Sequence, residues 1–404
     1  MPRSHRHSDE SRSSPLEVVR RQAPLISQRR DWSRPPFSLP RGKILLHRRA
    51  LLVAGTCLGL APTAVWSKPS LGPDNPLVDA FVKAQAFQGV VMLGRAGKPH
   101  YARAFGMADI EAAKPATVET RYAIASISKW LTTITVLKLV EQGKLSLDAS
   151  ITKYLPDYRA DTGARVMLRH LLSNTSGIPN LFTTAARADA TLVTREISTT
   201  AAVKLYAQGD LQFEPGTKFD YALTNWFIVT AIVEAVTGRP FQEAVRAITL
   251  DPLGLHRTDA SASVASLPDT AASYRDTPPS RIPNARLTVM AAGGGYYSDA
   301  ADLMRAAHLV FDTSFLSAES RRQLEKIEAP ADDYALGGRV RTLRIGGQVR
   351  LAGWETGNTG GYRSVLGHRL DDHSTVVILN NNGLSQKTLD LFADSLFGAE
   401  PRPG

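Results

Sequence analysis

The sequence predicts an α/β (α+β) protein: an antiparallel sheet built from both chain ends, flanked by helices, with a helical region inserted between them. Three observations predict it. Near the start of the body, "FQGVVMLGRAGKPHYARAFGMADI" places an apolar run at residues 89–93, a turn around 95–98 and a returning strand to Phe105, the pattern of a β-hairpin. Near the end, "GYRSVLGHRLDDHSTVVILNNNG" repeats that pattern with its turn at Asp371–Asp372. Between them, residues 155–285 carry mostly helical signals.

Within that insert, "NWFIVTAIVEAVTGRPF" spaces Trp226, Val229, Ile232, Val233 and Val236 along one helical face, and Gly238 and Pro240 end it. In "AAGGGYYSDAADL", Gly293–Gly295 mark a close backbone approach ahead of a helix expected to be capped by Ser298. A phosphate loop there would need a Gly-Lys-Ser/Thr ending, which the stretch lacks. The last helix sets Leu389, Phe392, Leu396 and Phe397 on one face and stops at Gly398.

The chain has 404 residues, 43% apolar and 21% charged, enough to bury a sizeable core. Its net charge of +10 suggests an acidic partner until its distribution is read. Residues 1–64 hold 12 Lys/Arg and 4 Asp/Glu, leaving the remainder with 36 basic and 34 acidic residues. A nearly neutral body has no electrostatic footprint for nucleic acid, and no nucleic-acid partner is expected. The lone cysteine, Cys57, allows no disulfide framework.

Residues 1–47 are rich in Arg, Ser and Pro without apolar periodicity and are read as a disordered extension. Residues 48–66 follow as an export signal: Arg48 and Arg49 precede an uncharged run from Ala50 to Ala64 and then small residues. The paired arginines resemble a twin-arginine signal. The run is short of the roughly 20 residues of a spanning helix. The expectation is an exported, periplasmic body at 67–404 that touches a membrane only through an uncleaved signal.

The stretch "TRYAIASISKW" sets Ser126 and Lys129 one helical turn apart where a long apolar helix begins. A serine at a helix N-terminus has backbone N–H groups around it that stabilise negative charge developing on an attacked carbonyl. Burial of an amine favours its neutral form, which accepts the serine proton. The motif is short, and "SITK" repeats it at Ser150 and Lys153 in a polar connection with no long helix behind it. On spacing alone, Ser126 as a plain helix cap and Lys129 as a solvated side chain stay open.

More than spacing is available. The stretch from "FQGVVMLGRAGKPH" through "SITKYLPDY", followed in order by "RHLLSNTSGIP", "FEPGTKFDYALTNWFIVTAIVEAVTG", "LDPLGLHRT", "AAGGGYYS" and "GWETGNTGGYRS", resembles the serine β-lactamase and penicillin-binding superfamily across about residues 77–400. The nearest group is that of class C β-lactamases, D-alanyl-D-alanine carboxypeptidases and related esterases. The resemblance implies a β-lactamase/transpeptidase-like fold and an acyl-enzyme mechanism without cofactor or metal. It assigns Ser126 as nucleophile, Lys129 as its base and Tyr221 as proton shuttle. The backbone N–H groups of Ser126 and Asn358 would form the oxyanion hole, and a small-molecule or peptidoglycan-like ester or amide would be the substrate.

Two departures from the family pattern bear on substrate. The Tyr-x-Asn motif reads Tyr221-Ala222-Leu223, and leucine cannot make the asparagine's hydrogen bonds. Asn225, two residues later, is a candidate replacement in substrate binding. The third motif, usually Lys-Thr-Gly or His-x-Gly, reads Glu355-Thr356-Gly357, which puts an acid where a basic residue normally holds the substrate carboxylate. A charged Glu355 would repel such a carboxylate, so the expected substrate is a neutral or cationic ester or amide; Arg363 is a possible offset.

An α/β-hydrolase reading fails for want of a Gly-x-Ser-x-Gly elbow. Nine scattered histidines without His-Glu-x-x-His give no support to metal hydrolysis. The remaining alternative is a catalytically impaired binder, sensor or scaffold. The intact Ser126, Lys129 and Tyr221 argue against it, because a scaffold has no need of a lysine on an apolar helix.

Overall fold

The computed structural model describes residues 71–260, 267–276, 278–283 and 288–401. The expected extension at 1–47, the export signal at 48–66 and Cys57 lie outside the described residues. Six strands form the sheet: β1 (Gly89–Arg95), β2 (Lys98–Phe105), β3 (Arg339–Ile345), β4 (Gln348–Thr359), β5 (Tyr362–Arg369) and β6 (Ser374–Asn380). Their spatial order is β2-β1-β6-β5-β4-β3, antiparallel throughout. Both expected hairpins are present. The two chain ends join where β1 pairs with β6, from Gly89 opposite Asn380 to Arg95 opposite Ser374.

The middle strands are apolar on both faces because helices cover both. On one side α1 (Pro76–Gln85) and the last helix, α5 (Gln386–Leu396), pack over Val91, Tyr101, Trp354, Val365 and Ile378. Asn75 caps α1 by accepting from the N–H groups of Leu77 and Val78. In α5, Leu389 and Phe392 are buried, as is Phe397 just beyond its end, and Gly398 adopts φ 69°, the left-handed stop expected of a glycine there.

On the other side lies the larger core, with α2 (Ile127–Glu141) on the sheet, α3 (Leu223–Thr237) behind it, and α4 (Ala300–Asp312) packed alongside. Helix α2 is buried on nearly every face, including Thr132, Thr133 and Thr135. Helix α3 buries more than its expected stripe: Phe227 and Ile228 are fully enclosed as well. A helix hydrophobic all round is a core helix, so α2 and α3 are held by packing rather than by amphipathic contrast. The insert is mostly helical, with a small ribbon pairing Tyr274–Arg275 with Ser280–Arg281.

One cap differs from expectation. Helix α4 is capped by Asp299, which accepts from the Asp302 N–H at 2.9 Å. Ser298 is instead paired opposite Tyr122 in a two-residue ribbon, and its hydroxyl bonds Thr258 Oγ1 at 2.8 Å. The tertiary ribbon outcompetes the local cap.

Candidate active site

The chain enters α2 through Ala125, which holds φ 47°, a left-handed conformation rare for a residue with a side chain. Such strain persists only where surrounding structure imposes it. Here the Ile124 N–H donates to Tyr296 O, Ser128 Oγ donates to Ala125 O at 2.6 Å, and Ser364 Oγ donates to Ile124 O at 3.2 Å. Gly357 makes the last contact possible, since a Cβ there would lie 2.1 Å from Ile124 O. The strap ahead of Ser126 is thus pinned against β4 and β5.

Ser126 makes no side-chain capping bond. Its hydroxyl is engaged instead by two side chains. Lys129 Nζ lies 3.2 Å from Ser126 Oγ, and Tyr221 OH donates to the same oxygen at 2.6 Å. Lys129 is 2% exposed and also donates to the Gly293 carbonyl. Its nitrogen stands over the Tyr221 ring at 4.8 Å and the Trp226 ring at 5.6 Å. Among the described residues no carboxylate forms an ion pair with it. The second Ser-x-x-Lys copy differs in kind: Ser150 precedes a four-residue helix and Lys153 is exposed.

Tyr221 is held by Asn174, a non-glycine residue at φ 55°. The Asp220 N–H donates to Asn174 O at 2.8 Å and the Ala222 N–H to Asn174 Oδ1 at 3.3 Å, so both neighbours of Tyr221 are tied to one residue. Asn225 belongs to this clamp. Its Nδ2 donates to Asn174 Oδ1 at 3.2 Å, and its Oδ1 accepts from Ser176 Oγ at 2.7 Å. All three residues are buried. This corrects the expectation that Asn225 replaces the family's asparagine in substrate binding: its amide is consumed below the site. Leu223 packs instead toward Gly293, where a Cβ would lie 2.6 Å from Leu223 Cδ1, and the Gly293 carbonyl supplies the acceptor for Lys129 that leucine lacks.

A cleft of about 480 Å³ opens in front of Ser126. Ser126, Tyr221, Glu355, Thr356 and Asn358 line it, as do Tyr334, Gly338 and Arg339. The Ser126 N–H has no backbone acceptor among the described residues, leaving it free to meet a substrate oxygen. Asn358 lies on the same cleft one residue past Gly357, whose close approach brings β4 against the nucleophile strap. Gly357 itself is a spacer rather than a wall of the cleft.

Glu355 also departs from expectation. It is 4% exposed, with its carboxyl pressed on Gly338, where a Cβ would lie 1.9 Å from Oε1. Burial pushes its pKa well above the carboxylate range, against the opposing pull of the Arg339 charge and a hydrogen bond from the Arg339 backbone. Burial thus favours its protonated form, which weakens the repulsion expected from a charged Glu355. The positive charge at the cleft comes from Arg339, a residue the sequence did not single out. Its guanidinium lies 5.1 Å over the Tyr334 ring and donates from Nε to Asp332 O at 3.3 Å. Arg363 bonds the carbonyls of Gly360 and Tyr362 and lies outside the cleft lining.

A family model described as "Beta-lactamase" matches residues 75–391. The chain belongs to the β-lactamase family. This is a superfamily of serine hydrolases, and its fold agrees with the six-stranded sheet and flanking helices described above. The esterase EstB of Burkholderia gladioli is 33% identical over 178 residues, 41% of this chain and 45% of the relative. The chain thus aligns with less than half the length of that curated relative. The octameric penicillin-binding protein homologue of Pyrococcus abyssi superposes with a TM-score of 0.66 at 26% identity, covering 79% of this chain and 75% of that one. A penicillin-binding protein of Bacillus halodurans shares the fold at TM-score 0.69 and 24% identity, covering 80% of this chain and 100% of its own.

Proposed function

We propose that this β-lactamase family member is an exported serine hydrolase that cleaves an ester or amide through an acyl-enzyme. The observation that carries the reading is the convergence of Lys129 Nζ and Tyr221 OH on Ser126 Oγ, at 3.2 and 2.6 Å. Ser126 Oγ attacks the substrate carbonyl carbon as its proton passes to Lys129 Nζ. The backbone N–H groups of Ser126 and Asn358 receive the charge on the carbonyl oxygen. Collapse breaks the bond to the alcohol or amine, which takes a proton from Tyr221, and Tyr221 recovers one from Lys129. Water then attacks the acyl carbon as Tyr221 takes its proton and passes its own to Lys129 Nζ; the bond from the acyl carbon to Ser126 Oγ then breaks, Oγ takes that proton back through the same pair, and the acid leaves.

The substrate is a small-molecule or peptidoglycan-like ester or amide. Because burial favours the protonated form of Glu355 and Arg339 is not ion-paired among the described residues, the cleft favours a substrate carboxylate rather than repelling it. This replaces the neutral-or-cationic expectation, whose premise was a charged Glu355. Export rests on the Arg48–Arg49 pair and the apolar run after it. It is tested by finding the mature protein in the periplasmic fraction, with Arg48→Lys/Arg49→Lys holding it in the cytoplasm.

Intact-mass measurement after treatment with a fluorophosphonate, with Ser126→Ala as control, tests the chemistry. One adduct that vanishes in the variant is expected. No adduct on the wild-type protein would overturn the hydrolase reading in favour of a non-catalytic binder. A penicillin adduct on Ser126 that resists hydrolysis would place the protein among penicillin binders.

A further inference from the structure

Three histidines that look scattered in the sequence converge on one carboxylate at the far end of β5. Asp312, the last residue of α4, accepts at Oδ1 from His368 Nε2 at 3.0 Å and His373 Nδ1 at 2.7 Å, and at Oδ2 from His308 Nδ1 at 2.8 Å. The donor atoms of Asp312, His368 and His373 all lie within 4.8 Å of one another. We propose that Asp312, His368 and His373 form a binding site for a divalent first-row metal ion, zinc in the first instance, with His308 holding the second carboxylate oxygen in place.

The donor set and its spacing fit that ion. Two imidazole nitrogens and one carboxylate oxygen are typical zinc ligands, and at metal–ligand distances of 2.0–2.1 Å the ligand atoms of a tetrahedron stand about 3.4 Å apart. To reach that spacing from Asp312 Oδ1, His368 Nε2 at 3.0 Å must move out by about 0.4 Å and His373 Nδ1 at 2.7 Å by about 0.7 Å. Without an ion, three imidazoles must each present a proton to a single carboxylate.

The shell around these groups is preorganised. His368 is buried, its Nδ1 lies 2.9 Å from Thr375 Oγ1, and its ring stacks on Phe311 at 5.3 Å. An oriented partner on the second ring nitrogen is the usual support of a ligating histidine. His373 holds φ 63°, a left-handed conformation unusual for histidine, within a turn fixed by the Ala96 N–H donating to His373 O and Arg95 Nε donating to Asp372 O. The His373 side chain is 46% exposed, which leaves the ion a route in and a coordination position open to water.

The site lies away from the reacting groups. His368 is four residues along β5 from Ser364, which braces the nucleophile strap, or about 13 Å at strand spacing. The metal ties the end of α4 to the β5–β6 turn and takes no part in the hydrolysis proposed above.

The test is calorimetric titration of untagged, full-length, chelator-treated protein with zinc chloride, repeated on His373→Ala and His308→Ala. One zinc per chain with micromolar or tighter affinity is expected. His373→Ala should weaken it at least tenfold, and His308→Ala should weaken it less. Cobalt(II) should give the intense visible bands of a tetrahedral site in the wild-type protein and lose them in His373→Ala. Because His373 is half-exposed, its variant is expected to fold, and circular dichroism checks this. Absence of saturable zinc binding, or undiminished binding in His373→Ala, would overturn the proposal. So would a larger loss in His308→Ala than in His373→Ala.

Discussion

Tyr221 donates a 2.6 Å hydrogen bond to Ser126 Oγ across 95 residues of sequence, while Lys129 reaches the same oxygen from one helical turn away. One partner is supplied by helix geometry and the other by tertiary packing. If Tyr221 moves protons, Tyr221→Phe keeps the ring and its packing but loses the hydroxyl. Its kcat/KM toward an activated ester should fall by about 10²–10⁴-fold. Steady-state kinetics beside an unchanged melting curve check this; full activity in the variant would remove Tyr221 from the mechanism.

Lys129→Met replaces a buried amine by a side chain of similar length. Fluorophosphonate labelling of Ser126 should slow by at least about 100-fold, because no base remains to take its proton. Stability should hold or rise, since a buried amine without a carboxylate partner is costly to bury. Labelling at the wild-type rate would show that Lys129 is not the base.

The raised pKa of Glu355 carries a sign. Its folded-state value lies above its unfolded one, so the protonated carboxyl suits the fold at low pH and stability is lost as pH rises through the folded value. Glu355→Gln copies the neutral form. Its melting temperature should exceed the wild type by about 2 °C or more at pH 8 and by less at pH 5. A difference independent of pH would mean Glu355 is already ionised in the fold.

Arg339→Met tests the charge of the cleft. For an ester bearing a carboxylate, KM should rise about 10-fold or more, the value of one charge-assisted hydrogen bond, while a neutral ester of the same size should change little. Equal effects on both substrates would separate Arg339 from carboxylate recognition.

Asn225→Ala distinguishes a clamp from a substrate ligand. Removing its amide leaves Asn174 and Ser176 short of partners in a buried network, which costs about 1–3 kcal/mol of stability. With the Tyr221 segment loosened, kcat should fall while KM stays near the wild-type value. A rise in KM with unchanged melting would restore the substrate-binding role.

Much of the molecule was legible from local pattern. The two hairpins follow from alternation and turn residues, the burial of α2 from apolar residues on every face, and the Ser126–Lys129 pair from the rise of a helix. Even the decoy at Ser150 and Lys153 is separable in sequence, because no apolar helix follows it. Each of these depends on residues a few positions apart, and backbone geometry constrains such residues whatever surrounds them.

The structure alone decided what depends on distant neighbours. Asn225 turns down to Asn174 and Ser176 rather than into the cleft because buried amides must find partners, and these lie 51 and 49 residues away. Glu355 reads as a charge in sequence, but the fold favours its protonated form, because Gly338 and Arg339, at the start of β3, close over it and take it out of water. Arg339 becomes the cleft's cation when β3 pairs with β4, and His308, His368 and His373 meet at Asp312 only when α4 packs against the sheet. Sequence spacing determined which groups this protein carries and on which local elements; burial and long-range contact decided their charge, their direction and their company.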